Sequence, residues 1–210
     1  MKTKTSYSVI RPENYQTTNW SGGTTTEIYI APTGSLYGDR TFDFRISSAT
    51  VDVEESTFTP LPDYDRIIMS LSGPLSLQHD GGPVNELSAF MPHSFDGASD
   101  TISVGKVTDF NLMLRKGKCS GFVLPFRMQE NEEVSLMAAL FNLPAVSSYD
   151  ELFLYAFKGN IDIPLAQEET IRLSQGETLH IVGDISSEAV HCLAKSGVAA
   201  ILAGVRYERS

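Results

Sequence analysis

Two stretches of the chain repeat one another in a way that few folds permit. Ile67–Leu77 reads IIMSLSGPLSL and Leu152–Ile163 reads LFLYAFKGNIDI. Each has an apolar strand, a glycine turn and then alternating apolar residues: Leu75 and Leu77 follow Gly73, and Ile161 and Ile163 follow Gly159. A further apolar strand is expected to begin fourteen residues after each glycine, near Leu87 and near Leu173, and a second glycine lies twenty-four residues after each, at Gly97 and Gly183. Glycine suits such turns because it takes backbone dihedrals closed to residues with a Cβ. The matched spacing predicts two related antiparallel β-modules. Short strands closed into double sheets bury their apolar faces and protect their edges. Chance spacing among hairpins would remove the duplication and leave the β assignment standing.

The other segments agree. Tyr7–Ile10 reads as a short strand ahead of Pro12; Thr24–Ile30 is rich in β-branched residues and follows the turn at Ser21-Gly22-Gly23. Phe42–Val53 is a long strand with Phe42, Phe44 and Ile46 on one parity and Asp43, Arg45, Ser47 and Ala49 on the other. Arg66–Leu71 opens the first repeat. Val134–Leu143 is the one good helix, with Leu136, Met137 and Leu140 on an apolar face before Pro144. With so little helix, a Rossmann fold or a barrel with crossover helices is disfavoured, and Gly22-Gly23 and Gly81-Gly82 lack the helix-opening context of a phosphate loop. The expected division is an N-terminal module over 1–129, a linker with a short helix over 130–150 and a C-terminal module over 151–210.

Charge narrows the partners. Sixteen basic and twenty-six acidic side chains give a formal charge of −10, which argues against a nucleic-acid backbone or an anionic membrane surface. A few converging arginines can still dominate one pocket, so Arg45, Arg66 and Arg115 say more than the net charge. Neither an apolar signal segment after Lys2 and Lys4 nor a long apolar run is present in the sequence, and a cytoplasmic location is expected. Cys119 and Cys192, without a Cys-x-x-Cys, read as thiols, Cys119 in a loop between modules.

Certain words are more specific. Asn19-Trp20-Ser21-Gly22-Gly23-Thr24-Thr25-Thr26-Glu27 and Phe44-Arg45-Ile46-Ser47-Ser48-Ala49 stand with Phe58, Pro62-Asp63-Tyr64-Asp65-Arg66, Leu71-Ser72-Gly73, Phe95-Asp96-Gly97 and Thr108-Asp109-Phe110-Asn111-Leu112-Met113. Together they resemble the HutD/Ves family, strongly over about 18–115 and more weakly beyond. The resemblance implies an RmlC-like cupin fold in two modules (a bicupin), an all-β architecture with one or two short helices, and commonly a small bacterial protein. Some members are connected with histidine utilisation, through regulation or binding of a pathway metabolite. Membership implies no reaction.

Within this frame the candidate ligand-binding residues are Trp20, Arg45, Ser47, Asp109 and Asn111, with Arg66 as a further contributor. Arg45 offers a rigid donor fork to a carboxylate, and Trp20 an apolar wall with one N–H donor. Ser47 and Asn111 add hydrogen bonds without charge. Asp109 and Asn111 share a strand parity, which turns Phe110 toward the core. Simpler roles compete: Trp20 as core packing, an Arg45–Asp109 buried pair, Glu27 as the cross-strand partner of an arginine, and Asp65-Arg66 closing a turn.

Cupin barrels often hold a metal through a His-x-His pair, a carboxylate and a later histidine. The four histidines here, His79, His93, His180 and His191, include no His-x-His, although each successive pair can meet across strands. Neither Ser47 nor Cys119, which follows Lys116 and Lys118, sits in a recognisable nucleophile motif. No metal and no cofactor is expected. The function expected is binding of a small polar or anionic metabolite, a carboxylate above all, with a regulatory role in metabolism. The alternatives are a metal-independent enzyme acting on a small molecule and a structural or protein-interaction module. Open β edges would also allow a homodimer.

Overall fold

The computed structural model describes residues 5–140, 149–165, 169–183 and 190–208. In chain order its strands are β1 (Ser6–Ile10), β2 (Gln16–Trp20), β3 (Gly23–Ala31), β4 (Phe44–Val51), β5 (Glu55–Thr57), β6 (Tyr64–Ser72), β7 (Leu75–His79), β8 (Val84–Leu87), β9 (Pro92–Asp96), β10 (Thr101–Val104) and β11 (Thr108–Arg115). There follow β12 (Cys119–Met128), β13 (Glu133–Ser135), the helix α1 (Leu136–Leu140), β14 (Glu151–Lys158), β15 (Ile161–Pro164), β16 (Thr170–Leu173), β17 (Thr178–Val182), β18 (His191–Leu193) and β19 (Val198–Tyr207). The architecture is the expected one, antiparallel sheets in a cupin-like double-sheet arrangement.

Two compact units form, one of Asn14–Val123 with Glu208–Ser210, the other of Met1–Glu13 with Leu124–Tyr207. In the first, a six-stranded sheet in the order β2-β3-β4-β11-β6-β9 accompanies a four-stranded sheet β5-β10-β7-β8. The second has a five-stranded sheet β1-β17-β14-β19-β12 and a four-stranded sheet β13-β18-β15-β16. Because β1 pairs with β17 from Ser6↔Val182 to Ile10↔Thr178, the start of the chain belongs to the second unit.

The repeat survives in three dimensions. Gly73 and Gly159 both take positive φ, +76° and +84°, at the turns from β6 to β7 and from β14 to β15. Leu75 then pairs with Leu87, and Ile161 with Leu173. One and the same interval along the chain separates all three corresponding pairs of residues. The apolar positions Leu87 and Leu173 close their strands, however, and do not begin them. Each is buried as the cross-strand partner of the first residue after the glycine turn, so its apolarity marks the end of a hairpin.

Two other expectations are corrected. The helix spans Leu136–Leu140, because Val134 pairs with Cys192 in a short ladder; the rest of the span proposed as helix, 141–143, lies outside the described residues. Cys119 begins a ten-residue strand and not a loop. Both cysteines are buried thiols, and burial pushes the Cys192 thiol up to about 12.

Alternation on the six-stranded sheet decides where the site lies. Phe44, Ile46, Phe110 and Leu112 are fully buried on one face. On the other, Val51 and Ile68 join Leu75, Leu77, Leu87 and Val107 in an apolar core, against which Val53, Phe58 and Phe95 pack. The polar residues between them share that inner face.

Candidate functional site

The central strand β11 sets the site's rows, since residues directly opposite in a ladder point to the same face. Asp109 lies between Ala49 of β4 and Ser70 of β6, Asn111 between Ser47 and Ile68, and Met113 between Arg45 and Arg66. A bulge in β3 lets Glu27 stand opposite Ser47 and Ile30 opposite Arg45, although three positions separate them in sequence. All six sequence-predicted site residues, Trp20, Arg45, Ser47, Arg66, Asp109 and Asn111, line one cavity of about 300 Å³. That is the small end of the range for ligand pockets, about 300–1,000 Å³.

Trp20 stands at its mouth, 39% exposed, and is not core packing. The glycine beside it explains its pose. A Cβ on Gly22 would sit 2.2 Å from Trp20 Cζ3, so only glycine lets the indole fold back over the turn.

Their partners distinguish the three arginines. Arg45 donates from Nε to Glu27 Oε2 at 2.6 Å and from Nη1 to Ser47 Oγ at 3.1 Å, with its guanidinium 4.4 Å from the Tyr37 ring centre. The Arg45–Asp109 pair is thus replaced by a pair with Glu27, the cross-strand role expected of that acid. Arg115 is occupied elsewhere: it donates to the carbonyls of Phe42 and Arg40 and to the Tyr64 hydroxyl. Arg66 differs from both. It stacks over Phe58 at 4.5 Å and Phe95 at 5.1 Å, yet its buried Nε has no hydrogen-bond partner among the described residues. Burial lowers its pKa to about 10, which leaves it charged at neutral pH.

Asp109 is 6% exposed, and the Ala49 N–H lies on the side of its carboxyl. Burial pushes its carboxyl up to about 7 against the opposing pull of Arg66 and of that N–H. Asn111 Oδ1, on the same face, is a buried acceptor without a donor among the described residues. The residues that sequence reasoning missed are the rings carrying the arginines. Phe58 and Phe95 stood among the family words without a role, and Tyr37 lies in a short 3-10 turn with no periodic signal.

The family model HutD matches residues 12–200. The chain belongs to the HutD family. Among solved structures, it is similar to a conserved protein of unknown function from Pseudomonas aeruginosa PAO1, at 22% identity over 96% of this chain and 99% of that one, with a TM-score of 0.76. HutD from Pseudomonas fluorescens SBW25 is 20% identical over 97% and 100%, with a TM-score of 0.70. The bacterial pirin YhhW from Escherichia coli, in complex with nickel(II), is 9% identical over 95% and 98%, with a TM-score of 0.66. At these identities the likenesses speak for the fold alone. No curated protein matches the chain.

In this HutD family member the histidines do not compose a cupin metal set. His79 and His93 do meet, with Nε2 atoms 2.9 Å apart and rings stacked at 5.2 Å. One ring nitrogen donates to the other, and His79 Nδ1 lies 2.9 Å from Thr101 Oγ1, so these nitrogens are engaged with each other and a hydroxyl. No group of three or more His, Cys, Asp or Glu suited to a metal occurs among the described residues, whereas a zinc-like site needs three or four ligands. His180 and His191 do not pair: His180 meets Glu151 at 2.7 Å and stacks on Phe153, while His191 meets Glu133. No described helix is long and apolar enough to cross a membrane.

Proposed function

We infer that the Asn14–Val123 unit binds a small carboxylate, with Arg66 as its charge anchor, and that occupancy of this pocket serves to regulate metabolism. The supporting observation is the contrast between its two buried arginines: Arg45 is neutralised by Glu27, and Arg66 keeps a buried donor without an acceptor. A buried cation with an unmet donor is costly unless an acceptor arrives. Arg45 then orients Ser47, Trp20 forms the wall at the mouth, and Asn111 and Asp109 fix the ligand's orientation.

Recognition without covalent chemistry suits these side chains. The Ser47 hydroxyl accepts from a guanidinium, which makes it a poorer nucleophile. Calorimetry with a panel of small acids, including intermediates of histidine breakdown, tests the reading. Binding that is lost in Arg66→Ala and partly kept in Arg66→Lys supports it; no binding across the panel removes it.

One observation favours an enzyme as the second reading. A buried carboxyl with a pKa near 7 is poised for proton transfer. Turnover of a bound acid, abolished in a folded Asp109→Asn protein, would establish it.

A further inference from the structure

The pocket lacks two things at once. Arg66 Nε is a buried donor without an acceptor, and Asn111 Oδ1 is a buried acceptor without a donor. A carboxylate alone supplies acceptors and answers only the first. The second needs a hydrogen-bond donor.

Arg45 and Glu27 cancel within the wall of the site, which leaves Arg66 and Asp109 as the charges that matter. A carboxylate anchored on Arg66 while Asp109 stays ionised would put two negative groups around one buried guanidinium. Like charges repel strongly in such surroundings, and the cheapest relief is a proton on the more deeply buried acid. A protonated Asp109 keeps one oxygen as an acceptor on the side of the Ala49 N–H and gains an O–H donor on the other.

We propose, on the basis of the carboxylate reading above, that the pocket takes up its anion together with one proton, held on Asp109.

The groups around Asp109 are consistent with this assignment. From β6 come Ser70 and Arg66, from β4 Ala49 and Arg45, and from β3 Glu27, which is bonded to Arg45. Tyr37 lines the same cavity. His79 of β7 and His93 of β9 stack with Phe95 beside Arg66, and burial holds both below the ordinary histidine value, so neither competes for the proton at pH 7–8. Arg66 is the charged group that acts on the Asp109 carboxyl, and burial already holds that carboxyl at about 7. An arriving anion offsets Arg66 and raises it further.

The consequence is a pH-gated receptor. Below about pH 7 the proton is in place and affinity is at its plateau. Above that, affinity falls about tenfold for each pH unit, the slope for one linked proton.

Calorimetric titration of the full chain with sodium acetate, and in parallel with sodium succinate, in two buffers of different ionisation enthalpy at pH 6 and pH 8 tests this. The expected result is close to one proton taken up per bound acid at pH 8 and roughly a tenth of one at pH 6. Asp109→Asn, which has the shape of the protonated acid, is expected to bind with no proton uptake, with equal affinity at both pH values, and more tightly than the native protein at pH 8. Binding to the native protein with no proton uptake and a flat pH dependence overturns the proposal and leaves carboxylate binding intact. Absence of binding by both acids at both pH values overturns the two together. The native protein's proton uptake decides the matter even if the variant fails to fold.

Discussion

Arg45 and Glu27 occupy neighbouring strands and meet at 2.6 Å with side chains only 6% and 14% exposed. The pair offsets one of the two arginine charges in the pocket and leaves Arg66 as the anchor in the carboxylate binding proposed above. Glu27→Gln keeps the shape and deletes the charge, so Arg45 is left buried and uncompensated. A loss of about 2–3 kcal/mol is expected, because truncating one partner strands the other. Urea unfolding midpoints check this. An unchanged midpoint would mean that Ser47 and the Tyr37 ring suffice for Arg45.

Gly22 is expected to tolerate no side chain without moving Trp20. In Gly22→Ala the new Cβ meets the indole at 2.2 Å and Val53 at 2.9 Å, so the ring must swing out of the mouth. Since this is the chain's single tryptophan, its fluorescence reports the site directly. The emission should shift to longer wavelength and lose any response to bound carboxylate. An emission maximum equal to that of the native protein would show that the turn, not the indole, gives way.

Much of this was legible in the residues themselves. Strand alternation suffices to place Arg45 with Ser47, and Asp109 with Asn111, on one face, because period two needs no tertiary information. The repeated glycine turns carried the doubled architecture for the same reason. What alternation cannot show is the bulge at Glu27/Tyr29, which breaks the period and brings Glu27 to Arg45. Nor can it show that Arg66, opposite Met113 in the ladder, is the arginine left without a partner. The edge strand Gln16–Trp20 also escaped, since every residue in it is exposed and no apolar pattern marks it. The helix was overextended because Val134 has the right spacing for a helical face yet is held by its ladder to β18.

Asp109 gives stability a defined dependence on pH. Its folded carboxyl titrates at about 7, above the ordinary 3.8. The folded state therefore binds more protons between those values, and the stabilisation present below the lower one is lost as pH rises through the higher. The change is on the order of 4 kcal/mol. Asp109→Asn does not titrate, so its stability relative to the native protein should rise from pH 4 to pH 7 and level off above. Unfolding free energies for both proteins at several pH values decide this; a difference independent of pH would show that Asp109 is ionised throughout.

The histidine pair acts in the opposite sense. With Nε2 atoms 2.9 Å apart, His79 and His93 share one proton in a donor–acceptor contact, and a second would set N–H against N–H. Burial lowers the affinity of both rings for protons; for His79 this outweighs the pull of Asp80 and is reinforced by Arg66, and for His93 it is reinforced by His79. Groups with lowered folded values contribute stability that is present above the ordinary histidine pKa and lost as pH falls through the folded ones. The native protein should therefore weaken on acidification from below about pH 6.5. His93→Gln, which removes one of the two rings, should lose much of that dependence. Nitrogen-15 NMR of the rings supplies the direct check, with two separated titration steps expected for the coupled pair. A single step at an ordinary value for both rings would mean that the contact does not persist in solution.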